Sequence, residues 1–326
     1  MGGEPGEAAI GKIAGASSFR REHRGTAESR SPFLFGSNTP RQLVIAHRGA
    51  RSLAPENTLA AAEAAQSLGA DLWEFDVATT RDGELILLHD ETLSRTTDVA
   101  LRYPDRSPWR AADFTWDEIQ TLDAGSWFLR NDPFGTLAQG MIPLACREHL
   151  AGQRVLTLRE ALAWSAGGTL GADIELKRND GSRDKSDQTR RTVERTVSLV
   201  REFGLEKSVF ISSFEREMIR HLKAIAPEIA GVLLFHTLPS NASALLGEIG
   251  ADGVAIRLPA FEKEAARTLT QGGYGVYVWT VNGPQDLAYL AQDSFLSGII
   301  TDWPQRLLEI LRRAPGVAAP TPGRSG

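Results

Sequence analysis

A closed (β/α)8 barrel of the α/β class is the fold that the sequence predicts, and three observations carry that prediction. Short, wholly apolar runs recur along the chain, as expected of buried parallel strands. Stretches of helical periodicity separate them. Eight principal strands alternate with helices in this way, which favours a closed barrel over an open doubly wound sheet. The length of 326 residues would suggest about two domains, but α/β barrels of about 250 residues count as one.

The elements follow in order. Residues 1–40 are rich in Gly, Ser and Arg, lack a continuous apolar core of the signal-peptide kind, and are expected to be disordered. The barrel is expected over 41–313. LVIA (Leu43 to Ala46) is the first strand and ends at His47. Asn57 looks like a helix N-cap, TLAAAEAAQSL like the helix, and Gly69 like its C-terminal cap. ADLWEFDVAT is the second strand, and Asp82-Gly83 turns it into a return strand, ELILLH. From 92 to 153 the pattern loosens. Four prolines and Trp109, Trp116 and Trp127 suggest an insertion with a small aromatic core, and Thr115 with Glu118 reads as a capping box. Alternation then resumes through GADIELK, SVFIS, AGVLLF, GVAIR, GVYVWT and GIIT, each followed by a helix. The first of these is followed by a charged loop, RNDGSRDKSDQ. The Pro/Gly-rich stretch 314–326 reads as a disordered tail.

Composition narrows the function. A net charge of -5 without a basic block argues against nucleic acid as a partner. Cys146 is the only cysteine, so no internal disulfide can form, in keeping with a cytoplasmic setting. No apolar run approaches the roughly 18 residues of a membrane span, so no stable membrane insertion is expected. Oligomeric state is not legible. No G-x-G-x-x-G or P-loop pattern follows a strand.

The polar residues at strand ends carry the chemistry, because barrel active sites sit at the C-terminal ends of the strands. His47 and Arg48 end the first strand, Glu74 and Asp76 lie near the end of the second, and His89 ends the return strand. Glu175 and Lys177 end the third barrel strand. Residues two apart share a strand face, so Glu74, Asp76 and Glu175 would converge on the lumen. Three such carboxylates repel one another unless neutralised. One divalent cation with oxygen ligands, Mg²⁺ or Ca²⁺, answers this. A salt-bridge network with Arg48 and Lys177 is the other answer. His47 and His89 would flank the cluster as an acid–base pair. Arg48 and Lys177 would hold phosphoryl oxygens, or else partner the ligand carboxylates.

HRG at His47, PENT at Pro55, E-x-D at Glu74, DG at Asp82, HD at His89 and IELK at Ile174 stand in an order and spacing that resembles the glycerophosphodiester phosphodiesterase family. SSF at Ser212, VWTVN at Val278 and GIITDWP at Gly298 agree. The resemblance spans about Val44 to Leu311. It implies a TIM barrel with a small insertion after the HD motif, a divalent metal on Glu74, Asp76 and Glu175, and His47 and His89 as the acid–base pair. It implies phosphate contacts from Arg48 and Lys177, a place near metal and substrate hydroxyls for Glu56, and Trp279 as a wall of the glycerol pocket. The stretch Ile142 to Leu158 departs from the family pattern. The expected reaction is hydrolysis of a glycerophosphodiester, a small-molecule substrate, to glycerol 3-phosphate and an alcohol, with water or the substrate's own 2-hydroxyl as nucleophile. A lysophospholipase D-type activity and a non-catalytic phosphate- or polyol-binding barrel are the alternatives. The histidine pair argues against the latter, since binding alone needs no acid and base.

Overall fold

Strands β1 (Leu43–Ala46), β2 (Leu72–Thr79), β4 (Gly171–Leu176), β5 (Val209–Ser213), β6 (Ala230–Phe235), β7 (Gly253–Arg257), β8 (Gly275–Trp279) and β9 (Gly298–Thr301) pair in parallel, each with the next. Strand β1 pairs with both β9 and β2, which closes the barrel. The computed structural model describes residues 42–178 and 185–313. The extension 1–40, the tail 314–326 and most of the charged loop after Lys177 lie outside the described residues.

The return strand β3 (Leu85–Leu87) runs antiparallel to β2. The turn between them has Gly83 in the left-handed region, which a Gly adopts without cost. Strand β3 is shorter than the apolar run ELILLH, and His89 lies two residues past its end.

Alternation along the strands divides the core. Leu43, Ile45, Leu72, Phe210, Val232, Ala255, Tyr277 and Ile300 fill the lumen. Their neighbours in sequence, such as Trp73, Phe75, Val209 and Ile211, face outward onto the helices. Glu74 and Asp76 follow Leu72 on its face of β2 by the two-residue period, so they point inward above the apolar floor. The register sets Glu74 beside Asp173 and Asp76 beside Glu175.

One cap differs from expectation. The first helix (Leu59–Leu68) is capped by Thr58, whose hydroxyl accepts from the Ala61 amide, and not by Asn57. Asn57 has a φ of 57° and turns its side chain toward Asp76. Gly69 ends that helix in the left-handed region, as expected. The capping box of Thr115 and Glu118 is present.

Between β3 and the helix Leu158–Gly167, short helices pack on the barrel rim. Their apolar side chains form two clusters shared with the barrel. One joins Trp127, Phe128 and Leu150 to Leu53, Ala60 and Ala61. The other joins Phe114, Ile119 and Leu122 to Ile86 and Leu88, with Trp109 and Trp116 against it.

Candidate active site

The loop after β1 is the tightest part of the site. His47 and Arg48 must turn into the mouth while the chain reverses toward the first helix. Gly49 makes this possible: its φ is 80°, and a Cβ there would meet Ala61 Cβ at 2.5 Å. Arg48 is itself left-handed, with φ 55°, a conformation a non-Gly residue holds at a cost. Its amide donates to Glu74 Oε2 at 2.7 Å, and its carbonyl accepts from the Asn57 amide. The loop is thereby fastened to β2 at Arg48 and closed on itself at Asn57.

Glu74, Asp76 and Glu175 come together. Each offers a carboxylate oxygen, and these oxygens lie within 4.8 Å of one another. Burial, and then the Asp76 and Glu175 charges, push the Glu74 carboxyl well above the usual range. Burial raises Glu175 too, against the pull of Lys177. Burial would also raise Asp76, but Lys177, Arg48 and His89 overcome it and hold Asp76 low. Glu74 Oε1 is buried and has no hydrogen-bond partner. Such an atom is costly unless something charge-compensating meets it. An all-oxygen set with an orphaned buried oxygen fits a hard divalent cation.

Lys177 Nζ lies 2.8 Å from Glu175 Oε1 and 3.0 Å from Asp76 Oδ1. Arg48 Nε lies 3.3 Å from Asp76 Oδ2. Both cations thus lean on carboxylates at the edge of the cluster. Asn57 completes the hold on Asp76, donating from Nδ2 at 2.9 Å and accepting the Asp76 amide at 3.3 Å.

Both histidines are tethered by aspartates. His47 Nδ1 lies 2.6 Å from Asp302 Oδ1, and its Nε2 lies 3.9 Å from Glu74 Oε2. His89 Nδ1 lies 2.7 Å from Asp90 Oδ1. An ionised carboxylate only accepts, so Nδ1 carries the proton in each ring and Nε2 is left for chemistry. Burial lowers the His47 imidazole, while its hydrogen bond to Asp302 works to raise it. Asp302 itself is held down at about 2: burial opposes this, and the His47 bond and charge and the Arg51 charge outweigh it. Asn282 orients Asp302, donating to Oδ2 at 2.7 Å and accepting its amide at 3.0 Å.

Glu56 is not open to the mouth. Its side chain is 2% exposed, and its oxygens accept from Arg48 at 2.9 Å, from Arg51 at 2.7 Å and from Arg95 at 2.6 and 3.0 Å. Burial would raise its carboxyl, but the Arg95 bonds and the Arg51 and Arg48 charges hold it at about 2. Trp279 stands apart from the carboxylates. Its ring meets Phe214 and His236, each at 5.5 Å between centroids, and Phe214 and His236 stack at 4.6 Å.

Several members of this constellation escaped the sequence reading. Asp302 lies in the GIITDWP stretch and Asp90 in the HD pair, so both were in view without a role. Asn57 reads as a cap from local sequence alone. Arg51 and Arg95 carried no signal, because only the fold brings them to Glu56. Asp173 is buried beside Glu74 in register and accepts from Ser212 Oγ at 2.5 Å. Its place two before Glu175 on one strand face was the available clue.

Comparison with known proteins identifies the family and the fold. Residues 47–306 match the model of the glycerophosphoryl diester phosphodiesterase family. A glycerophosphodiester phosphodiesterase of Caldanaerobacter subterraneus is 30% identical over 284 residues, covering 83% of this chain and 98% of that one. A Bacillus subtilis glycerophosphodiester phosphodiesterase is 31% identical over 268 residues, covering 81% and 84%. Among solved structures, an Oleispira antarctica phosphodiesterase in complex with the product sn-glycerol-3-phosphate superposes with a TM-score of 0.68 at 26% identity, covering 85% of this chain and 99% of that one. A Silicibacter pomeroyi structure reaches a TM-score of 0.72 at 24% identity over 86% and 96%, a likeness of fold.

Proposed function

The chain belongs to the glycerophosphoryl diester phosphodiesterase family, and on that premise we propose that it hydrolyses glycerophosphodiesters to sn-glycerol 3-phosphate and an alcohol, using a divalent cation and a histidine acid–base pair. The observation that carries this is the clustered trio Glu74, Asp76 and Glu175, with a buried, unpartnered Glu74 oxygen, flanked by two imidazoles whose Nδ1 atoms are fixed by Asp302 and Asp90. A binding protein has no use for the second half of that arrangement.

The trio would hold Mg²⁺ or Ca²⁺, and a cation there supplies Lewis-acid polarisation of the phosphoryl oxygens and lowers the pKa of a bound nucleophile. With a cation held on the trio, Arg48 and Lys177 would supply positive charge for the phosphoryl oxygens. Glu56 keeps Arg48 pointed inward and acts on the substrate through it. One histidine takes a proton from the nucleophile through Nε2, and the other delivers one to the leaving alkoxide. The aromatic wall of Trp279 packs against the carbon face of the glycerol. The proposed setting is the cytoplasm, in keeping with a chain whose one cysteine can form no internal disulfide.

Choline release from glycerophosphocholine, followed with and without a chelator, tests the reading. Turnover that the chelator abolishes and Mg²⁺ or Ca²⁺ restores is expected. Full turnover in the metal-free protein would remove the cation from the proposal, and no turnover of any glycerophosphodiester would remove the reaction.

A further inference from the structure

A phosphodiester has two substituents, and the mouth of the barrel offers two different places for them. The strand order β1, β2, β4, β5, β6, β7, β8, β9 sets β7 diametrically opposite β2. The rings of Phe214, His236 and Trp279 stand at the ends of β5, β6 and β8, on the far side from β2. On the β2 side a cavity of about 140 Å³ opens between the barrel and the inserted segment. His89 and Lys177 are in its wall. Lys177 also touches Asp76 and Glu175, so the cavity begins where the carboxylate cluster ends.

We propose that this cavity is the subsite for the leaving alcohol, and that Ala112 of the inserted segment sets its size. The proposal rests on the hydrolytic reading above. The lining supports it in three ways. Ala78 of β2, with Ala111 and Ala112, makes a floor of methyl groups, which leaves room where larger side chains would fill it. The rest of the wall is polar or charged, from Thr79, His89, Asp90, Glu91, Lys177 and Arg178, which suits an alcohol with a polar or charged head. A cavity of about 140 Å³ suits a short polar alcohol such as choline, ethanolamine or glycerol. With the alcohol here, the glycerol arm falls on the aromatic side, where Trp279 is.

Ala112 is half-buried, while Ala111 is buried, so Ala112 is the position where added bulk enters the cavity rather than the core. The Ala112→Leu variant should lower kcat/KM for glycerophosphocholine at least roughly tenfold more than for glycerophosphoethanolamine, the scale of excess methylenes in a fitted pocket. Inhibition by sn-glycerol 3-phosphate, which lacks the alcohol, should keep its constant. Equal losses for both diesters, no loss for either, or a parallel change in the product's inhibition constant would overturn the assignment. Should Ala112→Leu fail to fold, Ala112→Gly tests the same point in reverse. It should raise kcat/KM for glycerophosphoinositol relative to glycerophosphoethanolamine, and an unchanged ratio overturns the assignment. Wild-type protein that turns over none of these diesters fails the underlying reaction instead, so the two failures are distinct.

Discussion

Asp302 is the residue whose replacement separates orientation from chemistry. Its carboxylate holds His47 Nδ1 and raises an imidazole that burial lowers. In Asp302→Asn the raising influence is lost, so His47 gains its proton only at lower pH. The limb of the kcat/KM profile that His47 governs should therefore move to lower pH. If His47 is the base, which must be neutral, the acid limb moves. If it is the acid, which must be charged, the alkaline limb moves. The rate at the optimum should fall at least about tenfold, part of what a positioned acid or base contributes. Profiles that superimpose would show that Asp302 has no hold on the catalytic proton. His89→Ala should cut kcat by roughly 10² to 10⁴ and leave cation affinity nearly unchanged, since His89 is not among the clustered ligands. Titration of Mn²⁺ or Ca²⁺ alongside the kinetics checks both halves. The residues proposed to react are legible because strand alternation and strand ends mark them. Their holders are not. His47 and Asp302 are 255 positions apart, and nothing in the residue types alone says that they meet.

The loop from β1 to the first helix shows how an element is built to serve the site. Gly49 lies against Ala61, its amide donates to the Ala46 and Glu74 carbonyls, and Ala50 donates to the Ala61 carbonyl. A Gly49→Ala change meets a left-handed φ, costing roughly 1–2 kcal/mol, and a clash in packed surroundings, costing roughly 1–3 kcal/mol. Denaturant unfolding should report a loss on the order of 2–5 kcal/mol, and His47 and Arg48 would be displaced with the loop. A Thr58→Ala change should cost about 1 kcal/mol through the lost cap, with activity nearly intact at low denaturant. The contrast separates a position that shapes the site from one that only starts the helix. Local signals predicted the helix and its Gly69 end correctly. The capping residue was misplaced by one because Asn57 is an equally good cap in isolation. The carboxylate of Asp76 claimed its side chain instead, a tertiary choice that local propensity does not reveal.

Across the whole molecule, the barrel was readable from eight buried strands, whereas the inserted segment was readable only as a departure from that rhythm. Its core is shared with Ile86, Leu88 and Leu53 of the barrel, and Arg95 within it binds the barrel's Glu56. The segment and the barrel rim beside the site are therefore one packed unit. Its tryptophans offer little to an acyl chain. Trp127 is buried, Trp109 donates its indole N–H to the Tyr103 carbonyl at 2.7 Å, and Trp116 packs against the cluster around Phe114. Among the described residues the exposed large apolar side chains are Leu101, Leu144 and Tyr289, single groups of a kind common on protein surfaces. No described helix is long and apolar enough to cross a membrane. The mouth carries His47, Arg51, Lys177 and Arg178, all at least partly exposed and polar. A lysolipid would have to leave its chain over this charged rim or in water, and gains nothing by the hydrophobic effect in doing so. Glycerophosphocholine and glycerophosphoethanolamine should therefore be cleaved with higher kcat/KM than lysophosphatidylcholine. Choline release from glycerophosphocholine and lysophosphatidylcholine, measured below the lipid's micelle concentration, decides this. A clear preference for the lysolipid would overturn the substrate preference, and would direct attention to Leu101 and Leu144 as its acyl contacts, while leaving the carboxylate trio and the histidine pair as they stand.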